Sequence, residues 1–210
     1  MTLDMKDQPI QRTGRKFAQV LEGARVVFMA KGFEGASVDD IAKEAGVSKA
    51  TLYSYFPDKR LLFSEVVRTE CQRQCEATGA GGDFHENHPP AESLYAGARM
   101  IIASYLSEIS QQMFRICVAE ATRFPELGEL FYQSGPMIWR TDMRSYLQQA
   151  TARGDLAVED FDMAADQFIE LCKADLLLRA VFLNETEFSE VEQHRVAAAA
   201  VDLFLAKHGR

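Results

Sequence analysis

Between positions 49 and 59 the chain reads KATLYSYFPDK. Two amines, Lys49 and Lys59, and four hydroxyls, Thr51, Ser54, Tyr53 and Tyr55, fall within this short stretch. Such groups donate to phosphate oxygens, and an amine can also donate to the acceptors of guanine, so the chemistry on offer is recognition of a nucleic acid. A second cluster, Cys71, Cys75, His85 and His88, spells C-x3-C-x9-H-x2-H. These are metal-ligand types, although the spacing is not one of the common zinc patterns. The alternative is therefore a metal- or thiol-responsive sensor. A Cys71–Cys75 disulfide is disfavoured: one helical turn puts their Cβ atoms about 5–6 Å apart, against about 3.8 Å in a disulfide. G-x-S-x-G, H-E-x-x-H, the P-loop and a post-strand G-x-G-x-x-G are all missing, so no enzyme is expected.

Helices must position these groups. Apolar residues recur at three- and four-residue spacing almost everywhere, and alternating strand-type runs are missing. Residues 15–31 predict a first helix with the stripe Phe17, Val20, Leu21, Ala24, Phe28, stopped by Gly32. A second helix is expected over 38–45, N-capped by Ser37 in an S-x-x-D pattern and ended by Gly46. A third runs 49–56 behind Ser48 and is closed by Pro57, and Asp58 then caps a fourth over 59–77. GAGGDFHENHPP, residues 79–90, predicts a loop. Further helical stretches follow at 91–111, 112–123, 125–133, 136–153, 161–184 and 188–207, with Pro125 and Pro136 in first turns and Gly154 at a C-terminus.

Two short helices joined by a tight glycine turn describe a helix-turn-helix over 38–56. Its second helix must be anchored on one side and open on the other to enter a major groove about 12 Å wide. On a helical wheel Leu52 and Phe56 form the anchoring seam, and Tyr53 and Tyr55 lie about 80° to either side of it. Each ring can pack at its base while its hydroxyl reaches outward. Ala50, Thr51 and Ser54 occupy the open arc and are small enough for a base edge to come close.

The 210 residues carry a net charge of -8, which argues against indiscriminate nucleic-acid binding. The charge is uneven, however. Residues 1–60 hold ten Lys and Arg against eight Asp and Glu, leaving -10 for the remainder. A mildly basic head on an acidic body fits an anion-binding unit attached to something else. The N-terminal MTLDMKDQPIQR has no apolar core of the signal-peptide kind, and no apolar run approaches membrane-spanning length. A cytoplasmic chain with reduced cysteines is expected.

SVDDIAKEAGVSKATLYSYFPDKRLLFSEVV, residues 37–67, resembles the signature of the TetR family of bacterial transcriptional regulators, and the preceding AKGFEGAS fits it too. AEATRFPELGELFYQSGP (119–136) and ARGDLAVEDFDMAADQFIEL (152–171) are similar to the effector domain of one subgroup. The resemblance implies an all-α fold of about nine helices, with a helix-turn-helix DNA-binding domain over 13–60 and a helical effector-binding and dimerisation domain over 61–210. It implies that Lys49, Ala50 and Thr51 face the groove, that Tyr53 and Tyr55 lie at the DNA backbone, and that Lys59 puts its amine on a phosphate. Tyr55 stands where many members have His. Ser37, Ser48 and Arg15, with Arg12 before it, complete the expected DNA-contacting set.

The implied function is a repressor that binds a near-palindromic operator as a homodimer and is released by a small, largely apolar effector; activation is the other output of the same fold. Dimerisation is expected through the last two long helices, about 161–207, where DLLLRAVFL is apolar nearly all round and VAAAAVDLFLA is rich in small residues. The expected pocket draws on Tyr105, Phe114, Cys117, Glu120, Phe131, Trp139 and Phe168. No cofactor, resident metal or membrane partner is expected.

Overall fold

The structure is a computed structural model and describes residues 14–78 and 88–210. Arg12 and His85 lie outside these residues. Eleven helices account for most of the described chain: α1 Arg15–Gly35, α2 Val38–Glu44, α3 Lys49–Tyr55, α4 Lys59–Thr78, α5 Pro90–Leu106, α6 Glu108–Glu120, α7 Pro125–Ser134, α8 Pro136–Arg153, α9 Phe161–Cys172, α10 Leu176–Phe182 and α11 Glu190–His208. Among the described residues the only β pairing is a single bridge, Leu156 to Gly209. No helix described is long and apolar enough to cross a membrane.

The chain forms two compact units that divide within α4, one up to Thr69 and one from Glu70 onward. In the first, Phe17, Val20, Ala24 and Phe28 of the predicted α1 stripe are buried while Leu21 is half-buried, and Phe28 meets Phe63 edge-on at 4.9 Å between ring centres. Phe17 stacks on Phe56 at 5.5 Å, which closes α3 against α1. In the second unit α5, α8, α9 and α11 surround a core that includes Ile101, Met143, Leu147, Phe168 and Phe204.

Three helix boundaries differ from the sequence reading. Gly32 does not end α1 but kinks it, with φ 69°, and a last turn continues to Gly35. A glycine accepts that left-handed angle without a Cβ clash, so the chain turns without stopping. The break expected at 111/112 falls at Ser107, whose side chain accepts from Ser110 N at 3.3 Å and caps α6. The stretch 161–184 is two helices, which is why eleven are found. Asp175 sits at φ 64° between them, and its carboxylate takes Arg179 Nη1 at 3.1 Å. Asp tolerates the left-handed region better than most side chains, and that local bond accompanies the break.

Candidate DNA-binding face and effector cavity

The helix-turn-helix is built by local hydrogen bonds that the sequence dictates. Ser37 Oγ accepts from Asp40 N at 3.0 Å and Ser48 Oγ from Thr51 N at 3.1 Å, so both predicted caps form. Between them Gly46 takes φ 64°, and Val47 N returns to Ala42 O at 3.0 Å. The turn is held this tightly because Gly23 of α1 leaves room: a Cβ there would come within 2.6 Å of Ala45 N.

Leu52 of α3 and Phe56, which caps the helix at its C-terminus, are buried, as the wheel requires. Ser48, Lys49, Ala50, Tyr53 and Ser54 are exposed, and Thr51 is half-buried with its hydroxyl 2.9 Å from Ser48 Oγ. Tyr53 is 48% exposed. Tyr55 is half-buried, its ring edge-on to Phe17 at 5.8 Å. Lys49 Nζ reaches Asp39 Oδ1 of α2 at 2.5 Å; that bond raises its pKa and keeps it charged. Arg15 and Ser37 are exposed, and the Ser37 hydroxyl donates to Asp40 Oδ2 at 2.8 Å.

Lys59 departs from the picture of an amine directed at phosphate alone. Its Nζ donates to Phe33 O at 2.9 Å and Ala36 O at 3.1 Å, and lies 4.5 Å from the centre of the Phe33 ring. These carbonyls close α1 beyond its kink, where no following turn supplies donors, and the negative end of the helix favours a cation. An ammonium has three N–H groups, so one remains for an outside acceptor.

The second unit contains a cavity of about 320 Å³. Cys71 and Cys75 from α4, Tyr105 from α5, Phe114 and Cys117 from α6, Phe131 from α7 and Trp139 from α8 line it. Two predicted members do not. Phe168 is fully buried in the core and packs edge-on against Phe204 at 5.2 Å, because its face of α9 turns toward α11. Glu120 ends α6, where its backbone carbonyl accepts from Arg123 N and Phe124 N, and it is not among the lining residues. Gln111 and Lys173 line the cavity without having been predicted. Each sits at a junction that the sequence reading placed inside a longer helix or at its end.

Burial pushes the Cys71 and Cys117 thiols up to about 12 and also raises Cys75. Such thiols are poor ligands and poor nucleophiles near neutral pH. Of the other half of the proposed metal set, His88 Nδ1 lies 3.3 Å from Glu92 Oε2. Among the described residues no group of three or more His, Cys, Asp or Glu is arranged to hold a metal.

Comparison with known proteins agrees with this architecture. The family described as bacterial regulatory proteins, tetR family, matches residues 20–66, and the AefR-like transcriptional repressor C-terminal domain matches residues 92–210. The chain is 30% identical to a TetR-family transcriptional regulator from Mesorhizobium loti, with a TM-score of 0.82 over 93% of this chain and 98% of that one. It is 34% identical to the flavonoid-responsive regulator FrrA, with a TM-score of 0.78 over 94% of this chain and 98% of that one. The HTH-type transcriptional regulator YfiR of Bacillus subtilis is 25% identical over 157 residues, 74% of this chain and 66% of that relative's length. With a tetR-type head, an AefR-like body and a shared fold along nearly its whole length, the chain belongs to the tetR family of bacterial regulatory proteins, as a helix-turn-helix transcriptional regulator.

Proposed function

We propose that the protein is a dimeric repressor that grips a near-palindromic operator through α3 and lets go when a small, mostly apolar molecule fills the cavity of its second unit. The observation that carries the reading is the two-sided character of α3: Leu52 and Phe56 are buried while Lys49, Ala50 and Tyr53 are exposed. A helix anchored and open in this way suits a major groove. Lys49, Ala50 and Thr51 read bases; Ser37, Ser48, Tyr53, Tyr55, Lys59 and Arg15 hold the backbone.

A single short helix reads too few base pairs for selectivity, so two copies are needed. Leu178, Phe182 and Leu203, on α10 and α11, are 63%, 76% and 60% exposed, and Leu183 just after α10 is 70% exposed. Large apolar side chains grouped on two helices support a self-association surface there. The cavity supports an effector site, and the name of FrrA, a flavonoid-responsive regulator, favours an aromatic effector. Occupancy would select a conformation with lower operator affinity.

Selection of bound fragments from genomic DNA with the purified protein tests the reading. A recurrent near-palindrome is expected, with Lys49→Ala lowering affinity for it about tenfold or more while changing non-specific binding much less. Failure to enrich any sequence would refute the operator function.

A further inference from the structure

The cavity wall is largely apolar, built from rings, protonated thiols and small or aliphatic residues, with Gln74, Ser104, Ser110, Gln111 and Lys173 as polar members; Gln111 stands where α5 passes into α6. Gln111 is 3% exposed. Its Nε2 donates to Leu106 O at 3.2 Å, and its Oε1 is buried with no hydrogen-bond donor. The bond to Leu106 settles which end of the amide is which, since the opposite placement would set two acceptors together. Lys173, the residue that closes α9, lines the same cavity, with its Nζ 4.6 Å from the centre of the Tyr105 ring. Tyr105 directly precedes Leu106 in the chain, so both polar groups attach to one corner. Burial works against the Lys173 charge, but Tyr105 and Glu170 more than offset it, and its pKa is raised. The corner therefore offers a buried acceptor at Gln111 and a buried hydroxyl at Tyr105, both without a partner and costly to leave so, beside the Lys173 cation that Glu170 Oε1 holds at 2.5 Å.

Head groups differ in what they can do there. A plain hydrocarbon leaves both groups as they are. An ionised carboxylate accepts from Lys173 but has no hydrogen for Gln111, and sets oxygen against oxygen. A hydroxyl on an aromatic ring donates to Gln111 Oε1 and still accepts from the ammonium. We infer that the cavity selects a ring-bearing, otherwise apolar molecule whose polar head is a phenol-type hydroxyl, read by Gln111 and Lys173. The inference rests on the cavity being the effector site. Gln111 is then a specificity-determining residue, and the rings of Phe114, Phe131 and Trp139 hold the body of the ligand.

Trp139 is the chain's single tryptophan and lines the cavity, so its fluorescence reports occupancy. The full chain is titrated with 4-phenylphenol, biphenyl and biphenyl-4-carboxylate, which share one body and differ in the head. 4-Phenylphenol is expected to bind about tenfold tighter than either of the others. Gln111→Leu is expected to bring it down to the level of biphenyl while biphenyl itself is held as before. Gln111→Met is a second variant, circular dichroism checks the fold of both, and the wild-type series decides the matter even if neither folds. Carboxylate binding as tight as phenol binding, or a phenol preference that survives Gln111→Leu, would overturn the selectivity and leave the effector cavity standing. No change in Trp139 emission with any of the three would overturn the effector site itself, and this inference with it.

Discussion

Tyr53 and Tyr55 stand two positions apart on one short helix and meet different surroundings. Tyr53 is largely exposed, whereas the Tyr55 ring packs on Phe17. Tyr53→Phe removes only a hydroxyl from the surface. It is expected to leave the melting temperature unchanged and to weaken operator binding about tenfold, the scale of one bond to a charged oxygen. Tyr55→Ala is expected to lower the melting temperature, while Tyr55→Phe keeps the ring contact and tests the hydroxyl alone. Equal operator affinity for wild type and Tyr53→Phe, measured by gel shift, would remove Tyr53 from the backbone contacts. Lys59 does two jobs in the proposed reading. Lys59→Ala strips Phe33 O and Ala36 O of a donor, a loss of about 1–3 kcal/mol, or roughly 2–4 °C per kcal/mol for a chain of this size. It is also expected to reduce the salt dependence of DNA binding by about one unit of slope. A lower melting temperature with an unaltered slope would assign Lys59 to the α1 terminus alone.

Among the elements, the contact of α1 with α2 is the most sharply constrained. Gly23→Ala would drive a Cβ into the backbone at Ala45, and backbone cannot swing aside as a side chain can. Overpacking of this kind costs about 1–3 kcal/mol. The expected outcome is a lower denaturant midpoint together with weaker operator binding, since α2 supports α3. Unchanged stability would show that α2 can move off α1 freely. Helix order was legible because caps and periodicity are local: Ser37 and Ser48, read as caps, each accept a hydrogen bond at a helix start. Gly32 reads as a stop and is a kink, and two breaks were not legible. Ser107 lies in a run that reads as continuous helix, and Asp175 is a single residue between apolar stretches. Both breaks hid cavity residues, Gln111 just past one and Lys173 just before the other.

At the scale of the whole molecule, the proposed dimer places the burial of Leu178 and Phe182 in a second copy. Leu178→Glu combined with Phe182→Glu is expected to give a monomer by light scattering at micromolar concentration. Operator affinity is expected to fall by more than tenfold, because each half-site is then bound alone. A variant that remains dimeric would move the interface elsewhere.

The residues by themselves determined the all-α class, the helix-turn-helix and the burial of Leu52 and Phe56. Each depends on side chains within a few positions of one another, along a helix whose period is known in advance. The cavity was legible only in part. Tyr105, Phe114, Cys117, Phe131 and Trp139 line it, but periodicity says that a face is buried and not whether it meets a core or a void. That is why Phe168 reads like Phe131 in sequence and differs in place. Only the tertiary structure decided it, through the packing of α9 against α11. It alone also brought Gln111 and Lys173 into the lining of one cavity and tied the Lys59 ammonium to carbonyls more than twenty positions back along the chain. Contacts so distant in sequence leave no period to read.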